Sequence, residues 1–167
     1  PGEERWIARV LCDPADDSTM YIVRCGYSEN NKIWKTTDLG ETWTNVSGDL
    51  PDIPCNTIWV NPYHPNEYFV GTDLGVYTSY DWGETYHYGG GDMPLIPIMD
   101  FDFVHIGDKG YLRMATYGRG IYETVLLYTD IEEYYSRQEI AIQSYPNPFS
   151  AAMHIEYLLP EASNTRL

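Results

Sequence analysis

Asp100-Phe101-Asp102 sets two carboxylates one residue apart, a spacing that could serve acid–base chemistry. On an extended strand alternate side chains share a face, so both acids would be presented together. Hydrolysis of a glycosidic bond uses two carboxyl groups flanking the scissile bond, or a tyrosine nucleophile with an acidic partner. Asp73, Asp81 and Asp92 are further acids available to such a site. The plainer reading of Asp100 and Asp102, solvated residues at a strand end, weighs more, and no catalytic residue is assigned. Arg9, Arg24, Arg113 and Arg119 are the arginines that could hold a substrate carboxylate, and no motif marks them for it. Arg119, between Gly118 and Gly120, reads first as a packing and hydrogen-bonding residue and only second as a ligand clamp. Trp59, Trp82 and Tyr117 could stack on a sugar ring, against a stronger expectation that they pack within or between sheets. His64, His87 and His105 lack the paired spacing of a metal site. Gly89-Gly90-Gly91 leads into Asp92-Met93-Pro94 rather than a helix, so it is a loop and not a phosphate cradle. No metal or cofactor is expected.

The elements that must position these residues are set by a repeat. Thr36-Thr37-Asp38-Leu39-Gly40-Glu41-Thr42-Trp43 returns as Ser79-Tyr80-Asp81-Trp82-Gly83-Glu84-Thr85-Tyr86, and Asp38 and Asp81 are 43 residues apart. The shared positions are turn formers: the aspartate accepts bonds from backbone N–H groups inside the turn, and the glycine supplies positive φ. Trp43 or Tyr86 is expected to cover the corner. A period of this size fits four-stranded propeller blades better than helical solenoids. Short β-rich runs separated by Pro, Asn, Asp and Gly clusters precede each corner: Trp6–Leu11, Met20–Gly26 and Lys32–Thr36, then Asn56–Val60, Glu67–Gly71 and Val76–Ser79. A third unit, from Ile98–Val104 through Tyr111–Thr116 to Gly120–Leu127, has no corner and no fourth strand. It is therefore expected to be a closing blade whose missing strand is donated from upstream of Pro1.

The chain has 167 residues, enough for one core, and its 16 Tyr and 5 Trp favour strands over helix bundles. A net charge of −15 disfavours nucleic acid and anionic lipid as partners. Cys12, Cys25 and Cys55 cannot all pair, and three small buried apolar residues are the expectation over a Cys12–Cys25 bridge. No run of about 18 apolar residues is present to span a membrane. The start at Pro1-Gly2-Glu3-Glu4, with neither Met nor a leader, suggests a sequence that begins inside a longer protein. Residues 128–143 read as a linker. Pro146 and Pro148 then mark a turn before a single alternating strand, Met153–Leu159.

Residues 36–43 and 79–86 resemble the Asp-box, or BNR repeat, of sialidase-like β-propellers, Ser-x-Asp-x-Gly-x-Thr-Trp. Thr36 stands for Ser in the first copy and Tyr86 for Trp in the second. Ala115-Thr116-Tyr117-Gly118-Arg119-Gly120-Ile121-Tyr122-Glu123 is similar to the Gly-Arg-Gly-aromatic segment that closes the last blade of large Asp-box propellers, xyloglucanase-like and sortilin-like proteins among them. The resemblance implies that residues 1–127 are two four-stranded blades and a three-stranded closing blade. It also implies that Thr36, Asp38, Gly40, Thr42, Trp43, Ser79, Asp81, Gly83, Thr85 and Tyr86 are structural. Ser144–Ser150 and Ile155–Ala162 look like the opening of a β-sandwich-like C-terminal sorting domain of the type IX secretion system, which implies a truncated domain over 144–167. The full-length protein would then meet the type IX machinery and be secreted or held at the outer cell surface. The expected role is a binding or scaffold module for a glycan or a surface protein. The alternative is the C-terminal part of a propeller glycoside hydrolase, sialidase-like or xyloglucanase-like, with its catalytic acids mainly in upstream blades.

Overall fold

The computed structural model describes residues 6–13, 15–107, 109–127, 142–145 and 154–157, the last two segments and Leu127 as backbone only. All regular elements among them are strands, in four antiparallel sheets. The first sheet contains β1 (Ile7–Cys12), β2 (Met20–Arg24), β3 (Ile33–Thr36) and β4 (Thr44–Asn45), and the second β5 (Cys55–Val60), β6 (Tyr68–Thr72), β7 (Gly75–Ser79) and β8 (His87–Tyr88). A third contains β9 (Ile98–Ile106), β10 (Lys109–Thr116) and β11 (Ile121–Leu127), each strand in these three sheets pairing with its sequence neighbours. Contacts divide the chain between Leu126 and Leu127 into two units. Beyond that division, β12 (Ile142–Tyr145) and β13 (His154–Tyr157) form a hairpin in which Ser144 pairs with Ile155. Its first strand begins inside the stretch assigned to a linker. Most of the expected proline turn, Pro146 to Ser150, lies outside the described residues.

The first three sheets pack face to face, and the second is covered on both sides. Tyr68 and Val70 of β6 join Tyr21, Val23 and Ile33 in a core shared with the first sheet. Phe69, between them, points the other way into a core with Ile98, Phe101, Leu112 and Met114. Every residue of β6 is buried as a result, whereas β2 alternates along most of its length. Close approach of the second and third sheets demands glycine at position 71, because a Cβ there would lie 2.6 Å from Thr57 Cγ2 and 2.9 Å from Ile98 Cγ2. The first strand of each of these three sheets carries a register shift near its start, passing over Ala8, Asn56 and Met99. Bulges of this kind re-aim side chains, and they put Arg9, Thr57 and Asp100 at equivalent positions.

The cysteines depart from expectation. All three thiols are free, but only Cys55 is buried; Cys25 is half-buried and Cys12 exposed. Cys12 lies opposite Met20, so Cys25 falls beyond the pairing register of the hairpin. Burial pushes the Cys55 thiol up to about 12, which makes it inert as a nucleophile.

Candidate functional site

Both repeated corners close on their own side chains. In the first, the Thr36 hydroxyl donates to Asp38 Oδ1 at 2.6 Å and accepts the Gly40 N–H at 3.0 Å. Asp38 in turn accepts the Thr42 N–H at 2.8 Å and the Thr42 hydroxyl at 2.5 Å. The second reproduces this set: Ser79 Oγ to Asp81 at 2.8 Å, Gly83 N–H to Ser79 Oγ at 2.9 Å, and Thr85 N–H and hydroxyl to Asp81 at 2.9 and 2.5 Å. Donors converging on an ionised carboxylate favour its charged form. The Thr36 and then the Thr42 hydroxyl hold Asp38 at about 2, and the Thr85 hydroxyl and N–H, followed by Ser79, hold Asp81 at about 2. That direction is opposite to what a general acid needs.

The turn is tighter than the glycines alone suggest. Leu39 and Trp82 adopt positive φ of 57° and 65°, immediately before Gly40 at 94° and Gly83 at 86°. Two successive left-handed residues are therefore required, one of them a side chain that rarely adopts that conformation. Hydrogen bonds from the Leu39 N–H to the Ser18 carbonyl and from the Trp82 N–H to the Asn66 carbonyl tie each corner to the first hairpin of its sheet.

A second candidate region lies at the other end of the strands. β1 and β3 both run antiparallel to β2, so the start of β1 is remote from the corner that follows β3. At that start, Arg9 Nη2 reaches Asp100 Oδ1 of the third sheet at 3.2 Å. Arg113, opposite Asp102 in the register, bonds Glu123 Oε2 at 2.8 Å and lies 3.9 Å from Asp102 Oδ2. Nearby on the second sheet, Asn56 Nδ2 donates to Asp73 at 2.9 Å. Each acid of the Asp100-Phe101-Asp102 pair thus has a guanidinium of its own. Exposed ion pairs like these are worth about 0–1 kcal/mol. In the same row the Arg9 Nε and Thr57 Oγ1 are buried with no hydrogen-bond partner.

The remaining candidates are not brought together. Trp59 packs between Phe69 and Phe103, at ring-centroid distances of 5.4 and 5.1 Å, half-buried against the core. Trp82 is half exposed, with the Lys35 ammonium 4.9 Å from its ring centroid. Tyr117 and Arg119 are exposed on the turn between β10 and β11. Arg24 is buried against Asn31. Asp92 is exposed, as are His87 and His105, the last 3.5 Å from the Tyr63 hydroxyl, while His64 is half-buried. Among the described residues no group of three or more His, Cys, Asp or Glu side chains is placed to hold a metal ion. No helix among them is long and apolar enough to cross a membrane.

No protein-family model and no curated protein sequence matches the chain. Solved structures do. An ancestral GH74 enzyme superposes with a TM-score of 0.57 over 70% of this chain at 24% identity, and the GH74 xyloglucanase of Xanthomonas campestris with 0.50 over 69% at 14%. The fold is propeller-like. At these identities the likeness carries architecture alone, and the chain spans 14% and 20% of those two chains.

Sequence reading missed the three inner-strand bulges and the Arg9–Asp100 pair. It also missed a second repeated segment, Val46–Pro54 and Gly89–Pro97. The signal for that segment was present: Gly-Asp-Leu-Pro at 48–51 recurs as Gly-Asp-Met-Pro at 91–94, at the same 43-residue period.

Proposed function

We propose that residues 6–127 are Asp-box blades of a propeller whose role in this region is binding or scaffolding, with the corners as folding devices. The observation that carries this is the pairing of Asp100 with Arg9 and of Asp102 with Arg113. A hydrolytic pair needs two carboxyl groups free to face the scissile bond, and here each carboxylate is already engaged by a guanidinium. The half-exposed row of Arg9, Asp100, Asp102 and Arg113 offers donors and acceptors suited to sugar hydroxyls or to a polar protein surface. Asp100→Ala and Asp102→Ala in the full-length protein test it. The proposal expects any glycan hydrolysis to be unchanged while glycan or surface-protein retention weakens; loss of hydrolysis with folding intact contradicts it.

The second reading is a part of a propeller glycoside hydrolase, favoured by the structural likeness to GH74 enzymes. In it this region supplies walls and subsites while the acids reside in other blades. Under either reading, the similarity of Ser144–Ser150 and Ile155–Ala162 to the type IX sorting domain supports export to the cell surface or beyond. Protease accessibility of the full-length protein on intact cells checks this, and a wholly protected intracellular pool contradicts it.

A further inference from the structure

The end of the molecule that holds Arg9 and Asp100 is built three times over by one bond. In each sheet the residue after the second strand donates its N–H to the carbonyl just before the first: Cys25 to Trp6 at 3.0 Å, Asp73 to Pro54 at 3.1 Å, and Tyr117 to Pro97 at 2.9 Å. The turn between the second and third strands is thereby seated over the start of the first strand. Each of these turns points one large side chain outward. Tyr27 is 69% exposed, Leu74 43% and Tyr117 74%. Backbone shape rather than crowding sets glycine beside both tyrosines: Gly26 has φ 105° and Gly118 φ 81°, and a Cβ at either would meet nothing within 4 Å.

Inside this arc runs the polar row, and the Arg9–Asp100 ion pair puts the first and third sheets within reach of a single side chain here. A ligand of a few rings suffices to cross between them. Asn56 and Asp73 of the second sheet supply an amide and a carboxylate on the way. The other aromatic residues considered for sugar stacking are placed elsewhere: Trp59 is half-buried between Phe69 and Phe103, and Trp82, at the corner end, carries the Lys35 ammonium over its ring. A pyranose has C–H groups on its ring face and hydroxyls around its rim, so it matches an aromatic face set beside a row of hydrogen-bonding groups. Charge narrows the class of sugar. Carboxylates come from Asp73, Asp100, Asp102 and Glu123, and the last three already engage the guanidinium groups of Arg9 and Arg113. Arg119, exposed on the Tyr117 turn, adds one further cation. That balance disfavours a sugar bearing carboxylate or sulfate.

We propose that this end is a binding face for a neutral glycan laid across the three sheets. Tyr27 and Tyr117 are stacking platforms under two of its pyranose rings, Leu74 packs against the chain between them, and the polar row holds its hydroxyl groups. The proposal rests on the binding reading given above and selects the glycan over a protein surface. What carries it is the recurrence: one turn, fixed by one equivalent bond in each sheet, exposes a large apolar or aromatic side chain beside the row every time.

The test measures binding of the full-length protein to cellohexaose and mannohexaose, with hexagalacturonate as the acidic counterpart, by titration calorimetry. Saturable binding of a neutral hexasaccharide is expected, about tenfold tighter than that of hexagalacturonate. Tyr27→Ala and Tyr117→Ala should each weaken it about tenfold, while Tyr27→Phe and Tyr117→Phe, which keep the ring, should stay within about twofold. Tyr63→Ala, on an exposed turn at the opposite end, should leave it unchanged. Weakening by Asp100→Ala with full binding in both tyrosine-to-alanine variants overturns the stacking face and leaves the row's binding role standing. Full binding in all three of those variants removes both. Equal binding of hexagalacturonate, or no binding of either neutral hexasaccharide at millimolar concentration, overturns the assigned ligand class, and retention of a cell-surface protein in the latter case would give the face to a protein instead.

Discussion

The two corners make the same hydrogen bonds and hold different things. At the first, the Trp43 indole N–H turns back to the Gly40 carbonyl at 3.1 Å, so the ring closes the corner it belongs to. At the second, the Tyr86 hydroxyl lies against Gly83 of its own corner, and the residue also docks on the linker of the preceding sheet. A local motif therefore serves two scales: its carboxylate fixes the turn, and its aromatic residue covers that turn and, at the second corner, also joins one sheet to the next. Whether the second role is added depends on whether a linker stands opposite, and that is tertiary information.

The largest expected effect comes from breaking the inter-sheet contact. Tyr86→Ala removes a buried ring and frees the Val46 carbonyl and Asp49, and should cost about 3–5 kcal/mol in urea unfolding. Trp43→Ala, at a half-buried site, should cost about 1–2 kcal/mol; equal losses would erase the distinction. Lys32→Ala should fall between them, at about 2–3 kcal/mol. The Lys32 side chain is fully buried, and its ammonium donates to the Ile53 carbonyl at 2.8 Å and to Gly26 and Asp52 at 3.3 Å, holding the far end of the linker on which Tyr86 docks. Removing one partner of such a cluster leaves buried acceptors unsatisfied. Coupling to Tyr86→Ala in a double-mutant cycle checks that both act on one linker.

Acid should act on both corners alike. Asp38 and Asp81 sit at about 2 in the folded chain, below the 3.8 of an ordinary aspartate. A lowered folded value means stabilisation that is present above pH of about 4 and lost as pH falls from about 4 to about 2. Melting temperature should drop across that window, and Asp38→Asn with Asp81→Asn should flatten the drop. The smallest effect is expected at the Arg9–Asp100 pair, where Asp100→Ala should change stability by less than about 1 kcal/mol.

What was legible in the sequence was local chemistry repeated at a fixed period. Thr36, Asp38, Gly40 and Thr42 carry the corner in their own side chains, and a propeller-like stack of short antiparallel strands follows from the spacing. The positive φ of Leu39 and Trp82 was not legible, because neither residue type prefers that conformation and tertiary bonds to Ser18 and Asn66 hold it. Nor was the partner that completes the packing of Trp59, because Phe103 arrives from another sheet. The spacing did place Asp100 and Asp102 on one strand face, but of the arginines that pair with them Arg113 comes from the adjacent strand β10 and Arg9 from β1, far away in sequence. Cys12 was expected to be buried; its alternation in β1 leaves it exposed.

Native-state hydrogen exchange at Val46 and Leu50 separates the second corner, an inter-sheet clasp, from the first, a self-contained turn. Both amides bond within the docking linker or to β3, on the first sheet's side of the contact. Tyr86→Ala should accelerate their exchange while Trp43→Ala leaves them near the unmodified rate. Acceleration confined to the second sheet in Tyr86→Ala, or equal acceleration in both variants, would contradict it.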